Sequence, residues 1–106
     1  MRKVLYSPGF GAGWTTWSTE LSRANQLLML EWPPLIAAVE AGEHPTESHP
    51  AVVSLLAEIR KTEPDADPYL GGLDQLQVAV GSGQVRIEDY DGNESVHWRD
   101  DADEWL

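Results

Sequence analysis

Apolar positions along the chain fall into short runs of differing period, and the period sets the element each run predicts. Val4-Leu5-Tyr6, closed by Ser7-Pro8-Gly9, predicts a first strand ended by a turn. Residues 9–14, Gly-Phe-Gly-Ala-Gly-Trp, alternate glycine with larger apolar residues and predict a loop. In the polar stretch 15–26, Trp14, Trp17 and Leu21 would share a helical face, but the Thr-rich surroundings fit a loop equally well. Leu27-Leu28-Met29-Leu30 is continuously apolar and is stopped by Pro33-Pro34 just beyond Glu31, which favours a buried strand. Pro34 then opens a short helix with Leu35, Ile36 and Val39 on one face and Gly42 as its stop. Beyond a polar linker, residues 43–49, Pro50 opens a clearer helix. Its stripe is Val52, Val53, Leu55, Leu56 and Ile59, with Arg60 and Lys61 at the end where cations suit the macrodipole. Residues 62–72, centred on Pro-Asp-Ala-Asp-Pro, form a loop.

The remainder predicts three antiparallel strands whose register follows from the turns. A two-residue type I′ turn at Asp91-Gly92 sets Ile87 opposite Val96 and Val85 opposite Trp98, whereas a three-residue loop would set Glu88 against Val96. A Ser82-Gly83 turn likewise sets Val80 opposite Val85 and Val78 opposite Ile87. One face is then Leu76, Val78, Val80, Val85, Ile87, Val96 and Trp98, for which the stripe from Val52 to Ile59 is the obvious cover; Gln77, Arg86, Glu88 and His97 are wet. The predicted fold is a single α+β domain over residues 1–106. It has a small antiparallel sheet, a C-terminal three-stranded meander joined by the N-terminal strands, covered on one face by two helices. Residues 100–106 are expected to form a flexible acidic tail, the alternative being that Trp105 and Leu106 anchor in a groove.

Composition narrows the chemistry. The 106 residues include no cysteine, which removes disulfides, thiolate catalysis and cysteine metal sites. No signal peptide or membrane span is expected, and the chain reads as cytoplasmic. A net charge of −11 opposes direct binding of nucleic acid or anionic membrane and favours a basic protein partner. The charge is uneven. Residues 1–25 carry a net +2, and residues 84–106 carry eight carboxylates against Arg86 and Arg99.

Two surfaces stand out. The first is the loop Gly9, Phe10, Gly11, Gly13, Trp14 and Trp17, whose amides can approach a phosphate and whose aromatics can stack on a base or a partner. It follows a strand as a dinucleotide loop would, with Glu31 as the later acid. The spacing is nevertheless G-x-G-x-G, with Trp14 where Gly or Ala is needed, and no P-loop lysine is present. The second surface is acidic: Asp89, Asp91 and Glu94 around the hairpin turn, and Asp100, Asp101, Asp103 and Glu104 in the tail. In the predicted register Asp89 lies directly opposite Glu94, a repulsive pair that a partner's Arg or Lys would relieve. His44, His49 and His97 have no zinc-ligand spacing. Asp89 to Glu94 opens like a calcium loop without completing it, and no serine sits in a nucleophile elbow. No cofactor, metal or enzymatic activity is expected.

Residues 4–14 (Val-Leu-Tyr-Ser-Pro-Gly-Phe-Gly-Ala-Gly-Trp) with Thr16-Trp17, and residues 86–95 (Arg-Ile-Glu-Asp-Tyr-Asp-Gly-Asn-Glu-Ser), resemble a group of small proteins encoded by bacteriophages and prophages. The resemblance covers about a third of the chain and implies a setting rather than a mechanism. It implies an accessory protein in the host cytoplasm that inhibits or modulates a host protein through its acidic surface, a nucleic-acid-binding defence component among the possible targets, because carboxylates can stand in for phosphates. Two alternatives stay open: binding of a nucleotide or nucleotide-like signal by the glycine loop, and a structural protein that self-associates through Phe10, Trp14 and Trp17.

Overall fold

The computed structural model describes residues 1–9 and 13–99. Along the chain they form β1 (Arg2–Tyr6), a 3₁₀ turn (Thr15–Trp17), α1 (Arg23–Glu31), α2 (Pro33–Glu40), α3 (Pro50–Arg60) and a second 3₁₀ turn (Leu73–Gln75). Strands β2 (Gln77–Gly81), β3 (Gln84–Tyr90) and β4 (Asn93–Arg99) follow. The α+β class with small antiparallel sheets is as expected.

The β3–β4 register also agrees. Ile87 faces Val96, Val85 faces Trp98 and Asp89 faces Glu94. Asp91 (φ 52°) and Gly92 (φ 84°) both lie in the left-handed region, as a type I′ turn requires. Asp is one of the few residues with a side chain that enters this region readily.

The three-stranded meander does not form. β2 pairs with β1, placing Leu5 opposite Val78 and Val4 opposite Ala79, so the strands make two separate two-stranded sheets. The reason lies in β1, where adjacent residues Val4 and Leu5 are both fully buried. Successive side chains of a strand point to opposite faces, so the β1–β2 ribbon must be covered on both. Leu5 and Val78 pack into a helical core with Trp14, Met29, Leu35, Val52, Leu55 and Ile59. Val4 and Ala79 pack with Leu30, Val85, Ile87, Val96 and Trp98. The hairpin thus lies against the ribbon by its face instead of continuing it by its edge. Val80, expected opposite Val85, is 47% exposed.

This two-sided arrangement corrects two further expectations. The run Leu27–Leu30 is helical, not a strand. Ser22 caps α1 by accepting from the Asn25 N–H at 3.2 Å, and α1 runs between the two cores, with Met29 in one and Leu30 in the other. A helix apolar on two sides reads in sequence like a buried strand. The α3 stripe is buried among helices and Leu5 instead of against the hairpin, and its member Val53 is exposed.

Pro33 and Pro34 end α1 and start α2. Trp32, preceding proline, is held extended (φ −64°, ψ 111°), and α2 sets off in a new direction. In a continuous helix the Met29 carbonyl would accept from the N–H of residue 33, and proline has none. The buried Trp14 indole supplies that donor, with Nε1–H to Met29 O at 2.8 Å.

Candidate functional site

The described residues on either side of the glycine loop and the tip of the hairpin form one site. In β3 the core-facing phase is Val85, Ile87, Asp89; in β4 it is Trp98, Val96, Glu94. Both acids therefore lie on the side that near the base of the hairpin packs on Val4 and Leu30, Glu94 buried and Asp89 exposed at the margin. At the tip they meet the glycine loop.

Glu94 is 2% exposed. Its Oε1 accepts from the Ser7 N–H at 2.8 Å, and its Oε2 accepts from the Trp14 N–H at 2.8 Å, the Thr16 N–H at 3.1 Å and the Thr16 hydroxyl at 2.6 Å. The Glu94 N–H returns a hydrogen bond to Ser7 O at 2.8 Å. Four donors converging on one carboxylate offset the cost of burying it, since charge-assisted hydrogen bonds are about twice as strong as neutral ones. Gly13 makes the convergence possible: a Cβ there would stand 2.6 Å from Thr16 Oγ1 and 2.5 Å from the Trp17 ring.

Asp89 completes the latch. Its Oδ2 accepts from the Trp17 indole Nε1–H at 3.0 Å, and its Oδ1 accepts from the Gly92 N–H at 2.6 Å, tying the turn together. The expected repulsion between Asp89 and Glu94 is thus met inside the protein, by separate sets of donors on the two acids. Trp17 also packs on Tyr69, ring centroids 5.1 Å apart, and Tyr69 N–H donates to Ser18 Oγ at 3.2 Å, which joins the latch to the 62–72 loop.

Placement of the expected site residues changes accordingly. Asp89 and Asp91 are both exposed, Asp89 with its carboxylate engaged by Trp17 and Gly92, whereas Glu94, expected to meet a partner, is buried. Trp14 is fully buried as a core residue and cannot stack on a ligand or form an association patch. Gly9 and Trp17 are half-buried and Gly13 is buried. Phe10 and Gly11, like Asp100, Asp101, Asp103 and Glu104, lie outside the described residues. His97 sits beside Glu88 on the wet face of the hairpin, and His49 caps α3 by accepting the Ala51 N–H at its Nδ1. Among the described residues no group of acids and histidines is arranged to hold a metal, and no helix is long and apolar enough to cross a membrane.

A second acidic surface, not expected from sequence, lies on the other side of Trp17. A shallow cleft between α3 and the 62–72 loop has Leu56, Pro68, Tyr69 and Leu70 along it and Glu20, Glu47 and Asp67 around it. Glu63 and Asp65 continue the surface next to Glu20 and Asp67, and Asp74 lies beyond Glu47. Among the described residues lining the cleft Arg60 alone is basic, and its Nε–H donates to the Ala66 carbonyl at 3.1 Å. Glu63 has a different task. It accepts from the Ser22 N–H at 2.9 Å and from the Asn25 side chain, and these bonds at the start of α1 hold its carboxyl below the usual range. Ser7 and Thr16, the remaining donors of the latch, carried no sequence signal, but the phase of Asp89 and Glu94 did: each continues an apolar alternation that faces the core. The acids of the cleft come together from three separate segments, so no local pattern could group them. No protein-family model, curated protein or solved structure matches the chain.

Proposed function

We propose that this protein acts by binding a basic segment of another protein, and that the cleft between α3 and the 62–72 loop receives it. The observation that carries this reading is the make-up of the cleft: an apolar strip of Leu56, Tyr69 and Leu70 bordered by Glu20, Glu47 and Asp67 with one arginine, already turned to a backbone carbonyl. An Arg or Lys side chain laid along such a strip keeps its methylenes on apolar surface and its charge among carboxylates. Tyr69, 44% exposed and supported by Trp17, offers a ring face to a guanidinium. The phage-like wording of the two end motifs supports a host protein as the partner and inhibition or modulation as the effect. A target that itself holds nucleic acid is consistent with a net charge of −11.

Charge reversal tests it. A partner captured by the wild-type chain is identified, and its association with a Glu20→Lys, Glu47→Lys, Asp67→Lys triple variant is followed at low and high salt. The triple variant associates about tenfold or more slowly and with a flatter salt dependence, while Asp91→Lys at the hairpin turn binds as the wild type does. Equal association of the triple variant, or loss confined to Asp91→Lys, contradicts the assignment of this cleft.

A further inference from the structure

We propose that the donors of Ser7, Trp14 and Thr16 form a carboxylate-binding site that the protein keeps filled with its own Glu94, and that a small external carboxylate takes the place of Glu94 when the hairpin tip lifts. The donors belong to the loop side: three backbone N–H groups, of Ser7, Trp14 and Thr16, and the Thr16 hydroxyl. They are divided between the two oxygens of one carboxylate, and none of them reads any other part of glutamate. Any carboxylate of suitable size presents the same two oxygens. Gly13 is closed to a side chain by the Thr16 hydroxyl and the Trp17 ring, so the donors can close around a ligand this small. Thr15, in the same turn and 4% exposed, holds a hydroxyl with no partner among the described residues, a further buried polar group beside the donors.

The occupant is removable because of how the hairpin is anchored. The apolar contacts of β3 and β4 come from Val85, Ile87, Val96 and Trp98, toward the base. At the tip the contacts include polar ones, those of Glu94 with Ser7, Trp14 and Thr16 and that of Asp89 with Trp17. An incoming carboxylate replaces the Glu94 acceptors one for one, so lifting the tip leaves the Ser7, Trp14 and Thr16 donors satisfied, while the Trp17 indole N–H and the Ser7 carbonyl turn to water. Glu94 competes as a tethered ligand at an effective concentration of about a millimolar or more, which sets the handicap an external carboxylate faces in the wild-type chain. Removal of the Glu94 carboxylate removes the handicap. The acidic cleft is not involved, and the inference stands apart from the proposed partner.

The test uses the full chain and two probes, acetate and inorganic phosphate, titrated against chloride at matched ionic strength. Backbone amide resonances of Ser7, Trp14 and Thr16 and the Trp17 indole N–H are followed in the wild type and in Glu94→Ala. In Glu94→Ala, acetate shifts the three amides and raises the melting temperature, with an apparent affinity about tenfold or more above the wild type. In the wild type, molar acetate moves the same amides and the Trp17 indole together, as the tip lifts. A folded Glu94→Ala chain whose three amides do not respond to acetate overturns the proposal. If Glu94→Ala does not fold in buffer alone, recovery of a cooperative melt in acetate supports the site, and failure to recover with unmoved wild-type amides overturns it. A response to phosphate without one to acetate overturns the assignment to carboxylates.

Discussion

The Met29 carbonyl shows how one residue's chemistry can be set by another's deficiency. Pro33 cannot donate to it, and burial denies it water, so the indole of Trp14 is the donor that lets α1 end inside the core. Trp14→Phe removes the N–H together with the pyrrole half of a fully buried indole. Its expected cost therefore combines about 1–3 kcal/mol for the unpaired buried carbonyl with that of the cavity left behind, measured by chemical denaturation of the two chains. Glu63 makes a prediction in pH. Its carboxyl is held below its ordinary value of 4.5 by the Ser22 N–H and the Asn25 side chain. A depressed folded value means a contribution fully present above the ordinary value and lost as pH falls through the folded one. The melting-temperature difference between wild type and Glu63→Gln is therefore constant from neutral pH down to about 5 and closes below the ordinary carboxylate range. A difference that widens on acidification contradicts the sign.

At the scale of elements, what was legible in sequence was whatever depends on neighbours along the chain. The hairpin register followed from Asp91-Gly92 and the phase of Val85, Ile87, Val96 and Trp98, and it is met residue for residue. Asp91→Val tests the turn: a β-branched residue at φ 52° is expected to destabilise by about 1–2 kcal/mol, with Asp91→Gly near neutral. What was not legible depends on what covers each element. Leu27–Leu30 looks like a strand because α1 is apolar toward two cores, and the pairing of β2 with β1 is decided by the need to bury Val4 and Leu5 on opposite faces. The latch was half legible. Asp89 and Glu94 could be set opposite one another from sequence, and extending the alternation past Ile87 and Val96 puts both on the core-facing side of the hairpin, where Glu94 is buried. Their donors on Ser7, Thr16 and Trp17 lie more than seventy residues away in the chain, and only the fold brings them there. Gly13→Ala places a methyl against Thr16 and Trp17 and is expected to loosen the tip while the base of the hairpin holds, seen as faster hydrogen exchange at residues 88–95 than at 85–87 and 96–98.

Over the whole molecule the net charge of −11 resolves into groups with different duties. Glu31 and Glu40 pair with Arg2 and Lys3 and fasten β1 to α1 and α2. Asp89 and Glu94 fasten the hairpin tip to the glycine loop. Glu20, Glu47 and Asp67 stand exposed around the cleft, where the proposed partner would meet them. The residues flanking the glycine loop and the tip of the hairpin, separate in sequence, satisfy one another through Glu94 and Asp89. The central claim is that Glu94 organises the loop and the tip as one unit. Hydrogen exchange of Ser7, Trp14, Thr16 and the Trp17 indole N–H, in wild type against Glu94→Gln, measures it most directly. In Glu94→Gln an NH₂ group faces donors in place of an oxygen, so the four protons lose protection together while those of α3 do not change. Protection unchanged at these four sites, or lost uniformly across the molecule, contradicts the claim.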